Sequence, residues 1–292
     1  LATGEKLTRP SQDPVGITRS LQARTELSKL SQYKKNVDDG QAWLTQTETA
    51  LSEMNELTMR AYHLATDAAN GTKTPEDRQA IAEEIDQLMK QLLETANTSY
   101  AGRYVFGGYN TTDGKPYQVE IDENTNESYL VFNGQRVSNL TDPENQPPIG
   151  DIIAEKIEFE IGPGTKLDIS LSGSDVMGLG IDNIYAVFSG FHDALVEGVD
   201  SDEFDKFIGK FQKQQENILA NLAEVGGKTN RLDLIKTRLE ADEINYTAVK
   251  SMVEDVDHDK VIMEYKMSDL VYRSALAVGA RIIQPTLIDF LR

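Results

Sequence analysis

Proline is missing from two long stretches of this chain, residues 15–74 and 164–284. In both, apolar residues recur three and four apart. In the first, Leu30, Tyr33, Val37, Gly40, Leu44, Thr47, Leu51, Met54, Thr58, Ala61, Ala65 and Ala68 alternate those steps, which is the spacing of a heptad seam. A helix over about 14–70 would be roughly 85 Å long at ~1.5 Å per residue. Such a helix cannot wrap a compact core and must lie along other long helices.

Its ends are punctuated. Asp13 can cap the free amides of the first turn, and Pro14 suits the first helical position. Asn70-Gly71 offers a left-handed stop, and Thr74-Pro75-Glu76-Asp77 restarts a helix with a cap, a proline and two acids. The second helix carries Ile81, Ile85, Leu88, Leu92 and Thr95 on one stripe. Two helices joined by a short loop make an antiparallel hairpin.

The second proline-free stretch repeats the pattern. Phe204, Phe207, Phe211, Ile218, Leu222 and Val225 form one stripe, with Ser201 or Asp202 as cap. Leu232, Ile235, Leu239, Asp242, Tyr246, Val249, Val253 and Val256 form another. Gly226-Gly227 weakens the helix between them by about 1 kcal/mol per glycine relative to alanine, yet the apolar spacing resumes and predicts one continuous helix. Asp242 interrupts the seam either as a register-setting or edge position or as a functional carboxylate with no identifiable partner. Residues 261–291 are again helical in pattern and end in the apolar run Ile282-Ile283-Gln284-Pro285-Thr286-Leu287-Ile288-Asp289-Phe290-Leu291. An end this apolar either docks on its own body or forms an assembly surface.

The middle reads differently. Val119 and Ile121 alternate with polar neighbours, as do Tyr129 and Val131 across a polar segment, which reads as a hairpin. Asn133-Gly134 is a two-residue hairpin turn signal. Ile157, Phe159 and Ile161 alternate with glutamates before Gly162-Pro163-Gly164 turns the chain into Leu167, Ile169 and Leu171. The expected fold is therefore mainly α with a β insert, a long-helix rod closed by both chain ends plus a small antiparallel β domain. The divisions are 1–103 and 178–256 for the two halves of the rod, 104–177 for the insert and 257–292 for a C-terminal helical segment. The insert's outer strands are expected near 104–116 and 165–177.

Composition narrows the chemistry. There are 29 Lys and Arg against 48 Asp and Glu, a net charge of −19, which opposes binding to nucleic acid or to an anionic membrane surface. The chain has no cysteine and three histidines, which excludes disulfides and thiolate metal sites. No run approaches the ~18 apolar residues of a membrane span, and no Sec-type signal peptide is visible. Asp255, Asp257 and Asp259 imitate the opening of a calcium loop, but Lys260 and Lys266 stand where glycine and glutamate are needed. Asp122, Asn124 and Asn126 fail in the same way. Gly178-Leu179-Gly180 lacks the third glycine of a dinucleotide fingerprint, and no nucleophile–base set assembles. The sequence points to no enzyme activity, catalytic residue, metal or cofactor.

Three segments carry a resemblance. Gly4-Glu5-Lys6-Leu7-Thr8-Arg9-Pro10-Ser11-Gln12-Asp13-Pro14-Val15-Gly16 resembles the G-K-R-I-N-R-P-S-D-D-P-V-G segment of the flagellin-like hook-associated proteins, the hook–filament junction family of the bacterial flagellum. Gln12 replaces their usual acid. Ala96-Asn97-Thr98-Ser99-Tyr100-Ala101-Gly102-Arg103-Tyr104-Val105-Phe106-Gly107-Gly108 resembles the family's exit from its helical hairpin. Leu287-Ile288-Asp289-Phe290-Leu291 resembles its closing L-L-D-F-L. Filament flagellins are the alternative, but they generally lack the Arg-Pro-Ser and Arg-Tyr-x-Phe-Gly-Gly features.

The resemblance implies a structural adaptor joining hook to filament in a ring, with rod and terminal helices packed side by side. It implies export by the flagellar type III apparatus to the extracellular flagellum. The implied partners are neighbouring copies, another hook-associated protein, flagellin, and an export chaperone on the C-terminal segment. Family members begin with a further helix that pairs with the C-terminal one, so the chain is expected to lack that start. Pro10, Asp13 and Pro14 are then candidates for shaping the bend into the rod. Arg103, Tyr104 and Phe106 are candidates for anchoring the insert, and Leu276, Ile282, Ile283, Leu287, Phe290 and Leu291 for assembly.

Overall fold

The structure, a computed structural model, describes residues 13–70, 73–108, 111–112, 114–121, 128–137, 157–171, 173–178, 180–199 and 201–283. In chain order the elements are α1 (Pro14–Ala69), α2 (Pro75–Ala96), β1 (Ser99–Tyr100), β2 (Arg103–Tyr104), β3 (Tyr117–Ile121), β4 (Ser128–Phe132) and β5 (Gln135–Arg136). These are followed by β6 (Glu158–Gly162), β7 (Thr165–Asp168), α3 (Gly173–Met177), a 3-10 turn (Gly180–Asp182), α4 (Ile184–Glu197), α5 (Ser201–Glu254) and α6 (His258–Ile283). The chain divides into two compact units, Gln32–Leu239 and, separately, Leu1–Ser31 with Glu240–Arg292.

In the larger unit the α1 seam is buried as the spacing predicts, from Val37 through Leu44, Leu51 and Met54 to Ala68. Thr47 and Thr58 belong to that seam although they are polar. Each hydroxyl donates to the carbonyl four residues back, at 2.9 Å to Trp43 and 2.8 Å to Met54, so neither is left unpaired in the core. Trp43 is buried and meets Tyr100 edge-on, with ring centroids 6.3 Å apart.

The cap expected before α2 is present, and it takes the form of a capping box. The Asp77 amide donates to Thr74 Oγ1 at 3.2 Å, and the Thr74 amide donates to Asp77 Oδ2 at 3.0 Å. These bonds to its charged form hold the Asp77 carboxyl below its ordinary range. Pairs Arg60–Glu84 (2.5 Å) and Gln91–Glu53 (3.0 Å) join α1 and α2 in antiparallel sense. The other face of the hairpin is closed by α4, which packs on α2. Between α4 and the first turns of α5 lies an aromatic cluster of Phe188, Phe191, Phe204, Phe207 and Phe211, largely edge-to-face at centroid distances of 5.1–5.9 Å. α5 runs unbroken through Gly226-Gly227, as the apolar spacing predicts, but it takes in Ser201 and Asp202 as helical residues and neither is its cap.

Among the described residues, the insert and its entry form small antiparallel sheets, β1–β2, β3–β4–β5 and β6–β7. Val119 and Ile121 pair with Leu130 and Ser128 in the expected hairpin. Asn133 and Gly134 take φ of 47° and 81°, the positive pair a tight hairpin turn requires. Two expectations are corrected. Among the described residues of 103–116 the strand is Arg103–Tyr104, and the chain bends at Gly108, whose φ is 66°. The segment after β7 is not strand through 177: residues 173–177 are helical, which turns the chain toward α4.

The smaller unit has little core of its own. Ala23 and Leu30 of α1 are its buried apolar residues among those described. It is held instead by polar chemistry. The nearly buried Glu254 at the end of α5 receives Arg24 Nε at 2.7 Å and Nη2 at 2.8 Å, and the Ser20 hydroxyl donates to the same carboxylate. Beyond it, Asp257 Oδ1 accepts from the amides of Asp259 (3.1 Å) and Lys260 (3.3 Å) and so caps α6. The acidic run that imitates a calcium loop is thus a helix junction. No described helix is long and apolar enough to cross a membrane.

Candidate assembly surfaces

The α6 helix carries apolar side chains around most of its circumference. A period of 3.6 residues gathers Lys266, Asp269 and Arg273 on one narrow polar strip, where Arg273 pairs with Asp269 at 3.0 Å. Ile262 and Leu276, seven residues either side of Asp269, share that strip, and Glu264 and Ser268 interrupt the opposite face. Ile262, Met263, Tyr265, Met267, Leu270, Val271, Tyr272, Leu276 and Val278 are all exposed. A helix apolar on nearly all sides is ordinarily a buried one. The α5 segment before it behaves similarly. The seam holds Leu232 and Leu239 buried, but Tyr246 and Val249 are exposed and Asp242 is half-buried. The same apolar period therefore closes a core before residue 240, opens to solvent at Tyr246 and Val249, and is half-buried again at Val253 and Val256.

The carboxylate of Glu254 sets the chemistry at the α5–α6 junction. The hydrogen bonds from Arg24, with those from Ser20 and the nearby charges of Arg24 and Lys250, outweigh desolvation. They hold its pKa at about 2, against an ordinary 4.5.

The candidate anchor of the insert is assembled where α2 ends. Phe106 is fully buried, Tyr104 is half-buried and Arg103 is exposed. The Tyr104 amide donates to Thr111 O at 2.9 Å and the Val105 amide to Thr98 O at 3.0 Å. Further hydrogen bonds here come from residues outside that candidate set. Asn97, the C-cap of α2, accepts from the Tyr117 amide and donates to the Tyr117 carbonyl, both at 2.9 Å, so one side chain acts as a strand partner for β3. Asn133 Nδ2 donates to Gly107 O at 3.3 Å. Tyr117 is buried against Phe132, with centroids 4.9 Å apart, and burial pushes its hydroxyl well above its ordinary pKa. Gly173 closes over it: a Cβ there would stand 2.0 Å from Tyr117 Oη and 2.6 Å from Phe106 O. Asn97 lies inside the quoted motif, and that was its only signal.

The other sequence candidates fall as follows. Asp13 caps α1, accepting from the Gly16 amide at 3.0 Å through Oδ1, and Pro14 is the first helical residue. Leu276 is on the exposed surface of α6, and Ile282 and Ile283 form its last described turn. Pro10, Leu287, Phe290 and Leu291 lie outside the described residues. Arg103, Tyr104 and Phe106 follow one another directly after α2, and of the terminal set Leu276, Ile282 and Ile283 fall among the described residues.

Comparison with known proteins adds the relatives. Residues 1–111 match the family model of the bacterial flagellin N-terminal helical region. Flagellin FlaB1 of Treponema pallidum is 23% identical over 283 residues, covering 96% of this chain and 85% of that protein. Flagellar hook-associated protein 3 of Escherichia coli is 25% identical over 285 residues, covering 94% and 86%. Among solved structures, a Vibrio parahaemolyticus protein assigned as flagellar hook-associated superposes with a TM-score of 0.69 at 18% identity, covering 83% of this chain and 99% of that one. The flagellar junction protein FlgL of Legionella pneumophila superposes with a TM-score of 0.61 at 14% identity, covering 82% and 100%. The fold is that of the flagellar hook-associated proteins, as the motifs implied.

Proposed function

We propose that this flagellin-like chain is a structural adaptor of the extracellular bacterial flagellum, joining hook to filament. The observation that carries the reading is an apolar helix left uncovered on a fold shared with junction proteins. Its helices pack beside those of neighbouring copies, and α6 is covered when the subunit meets a hook-associated protein on one side and flagellin on the other. Before that, an export chaperone covers α6 during passage through the type III apparatus. Asp13 and Pro14, with Pro10, shape the lead-in to the rod. Arg103, Tyr104 and Phe106 fasten the insert, and the C-terminal apolar residues from Leu276 to Leu291 make the assembly contact. The adaptor role is mechanical, with no bond made or broken.

The competing reading is a filament-forming flagellin, since flagellins are among the relatives. The full-length protein incubated alone and viewed by electron microscopy separates the two. An adaptor gives no long filaments alone and is incorporated when the hook-associated partner and flagellin of the same cell are supplied. Long filaments of this protein by itself would overturn the adaptor reading.

A further inference from the structure

The chain has no cysteine, so its oxidisable sulfurs are the thioethers of seven methionines. Their placement is uneven. Met54 and Met177 are 1% exposed, Met89 is half-buried and Met59 is 40% exposed. Met252, Met263 and Met267 are 83%, 63% and 62% exposed. These three fall in the smaller unit, two of them one turn apart on the uncovered face of α6 in a row continued by Leu270. An apolar side chain buried in its own core is sheltered from oxidants. These three are apolar side chains held in solvent.

We propose that Met252, Met263 and Met267 form a peroxide-sensitive modification site that withholds the free subunit from assembly until it is reduced. The thioether sulfur attacks one peroxide oxygen, the O–O bond breaks and an S–O bond forms. Proton transfer then releases one water, the sulfur being oxidised and the peroxide reduced. The sulfoxide is polar and chiral and disrupts a methionine-rich interface, and sulfoxide reductases reverse it. Burying it in an apolar contact leaves a strong acceptor desolvated. Assembled subunits are shielded, so the site acts on unassembled protein. The gating half rests on the adaptor reading above, in which assembly covers α6.

The test begins with the full-length protein in dilute hydrogen peroxide, sampled over time by peptide mass mapping. Met252, Met263 and Met267 convert about tenfold or more faster than Met54 and Met177, with Met59 between. The oxidised protein, with its helical circular dichroism unchanged, is then supplied with the hook-associated partner and flagellin. Incorporation falls at least about tenfold, equivalent to about 1.4 kcal/mol, and returns after treatment with the two methionine sulfoxide reductases. Equal oxidation rates at exposed and buried methionines overturn the proposal. So does undiminished incorporation with all three sulfoxides present, and so does loss of helix on oxidation, which would assign the effect to unfolding. If reduced protein is not incorporated either, the adaptor reading falls and takes the gating with it, while the mapping still decides peroxide sensitivity.

Discussion

At the scale of single residues, Glu254 and Gly173 stand out for the atoms packed around them. Glu254 is tied to Ser20 and Arg24 across more than two hundred positions, and a contact between distant positions leaves no local pattern to read. Its carboxyl ionises near 2 when folded and near 4.5 when free. The folded value is depressed, so the stabilisation is present above about pH 4.5 and is lost as pH falls toward 2. Allowing for the half-exposed Arg24, it is on the order of 2 kcal/mol at neutral pH. Acid titration followed by hydrogen exchange at residues 20–24 should show protection declining through that window. The Glu254→Gln variant should start less protected and lack that component of the decline. Gly173 is the second. Its Cβ would collide with Tyr117 Oη and with the Phe106 backbone, and a backbone oxygen cannot move aside as a side chain can. Gly173→Ala should cost about 1–3 kcal/mol or more, read as a lower urea midpoint with an unchanged slope.

At the scale of elements, the sequence was most legible where an element is covered by its own chain. The three-and-four spacing of α1 and the cap signal before α2 predicted helices that the structure reproduces, because both signals are local and their burial is internal. The same spacing after Leu239 predicted a helix but not its solvent exposure, since periodicity names an apolar face and not what covers it. Short strands were the weakest reading: a bend at Gly108 and a helix at 173–177 stand where outer strands were expected. Gly226 and Gly227 offer a direct check on α5. A Cβ at either meets nothing within 4 Å, so neither admits a close neighbour within the subunit. Replacing both with alanine should stabilise the protein by about 1–2 kcal/mol through helix propensity alone, measured by urea denaturation of the free subunit.

The molecule as a whole distributes its core unequally. Nearly all buried apolar residues belong to Gln32–Leu239, while the other unit relies on Ala23, Leu30 and the Glu254 ion pair. Regions with few buried apolar contacts open first. Heating should therefore remove helix in two steps, the first from residues 14–31 and 240–283, and partners that cover α6 should raise the first step toward the second. The chain also carries its own optical means of telling the steps apart. Trp43 is its sole tryptophan, buried edge-on to Tyr100 within the larger unit. Its emission should stay blue through the first loss of ellipticity and shift red only in the second, so one native fluorophore isolates the melting of the larger unit without any label.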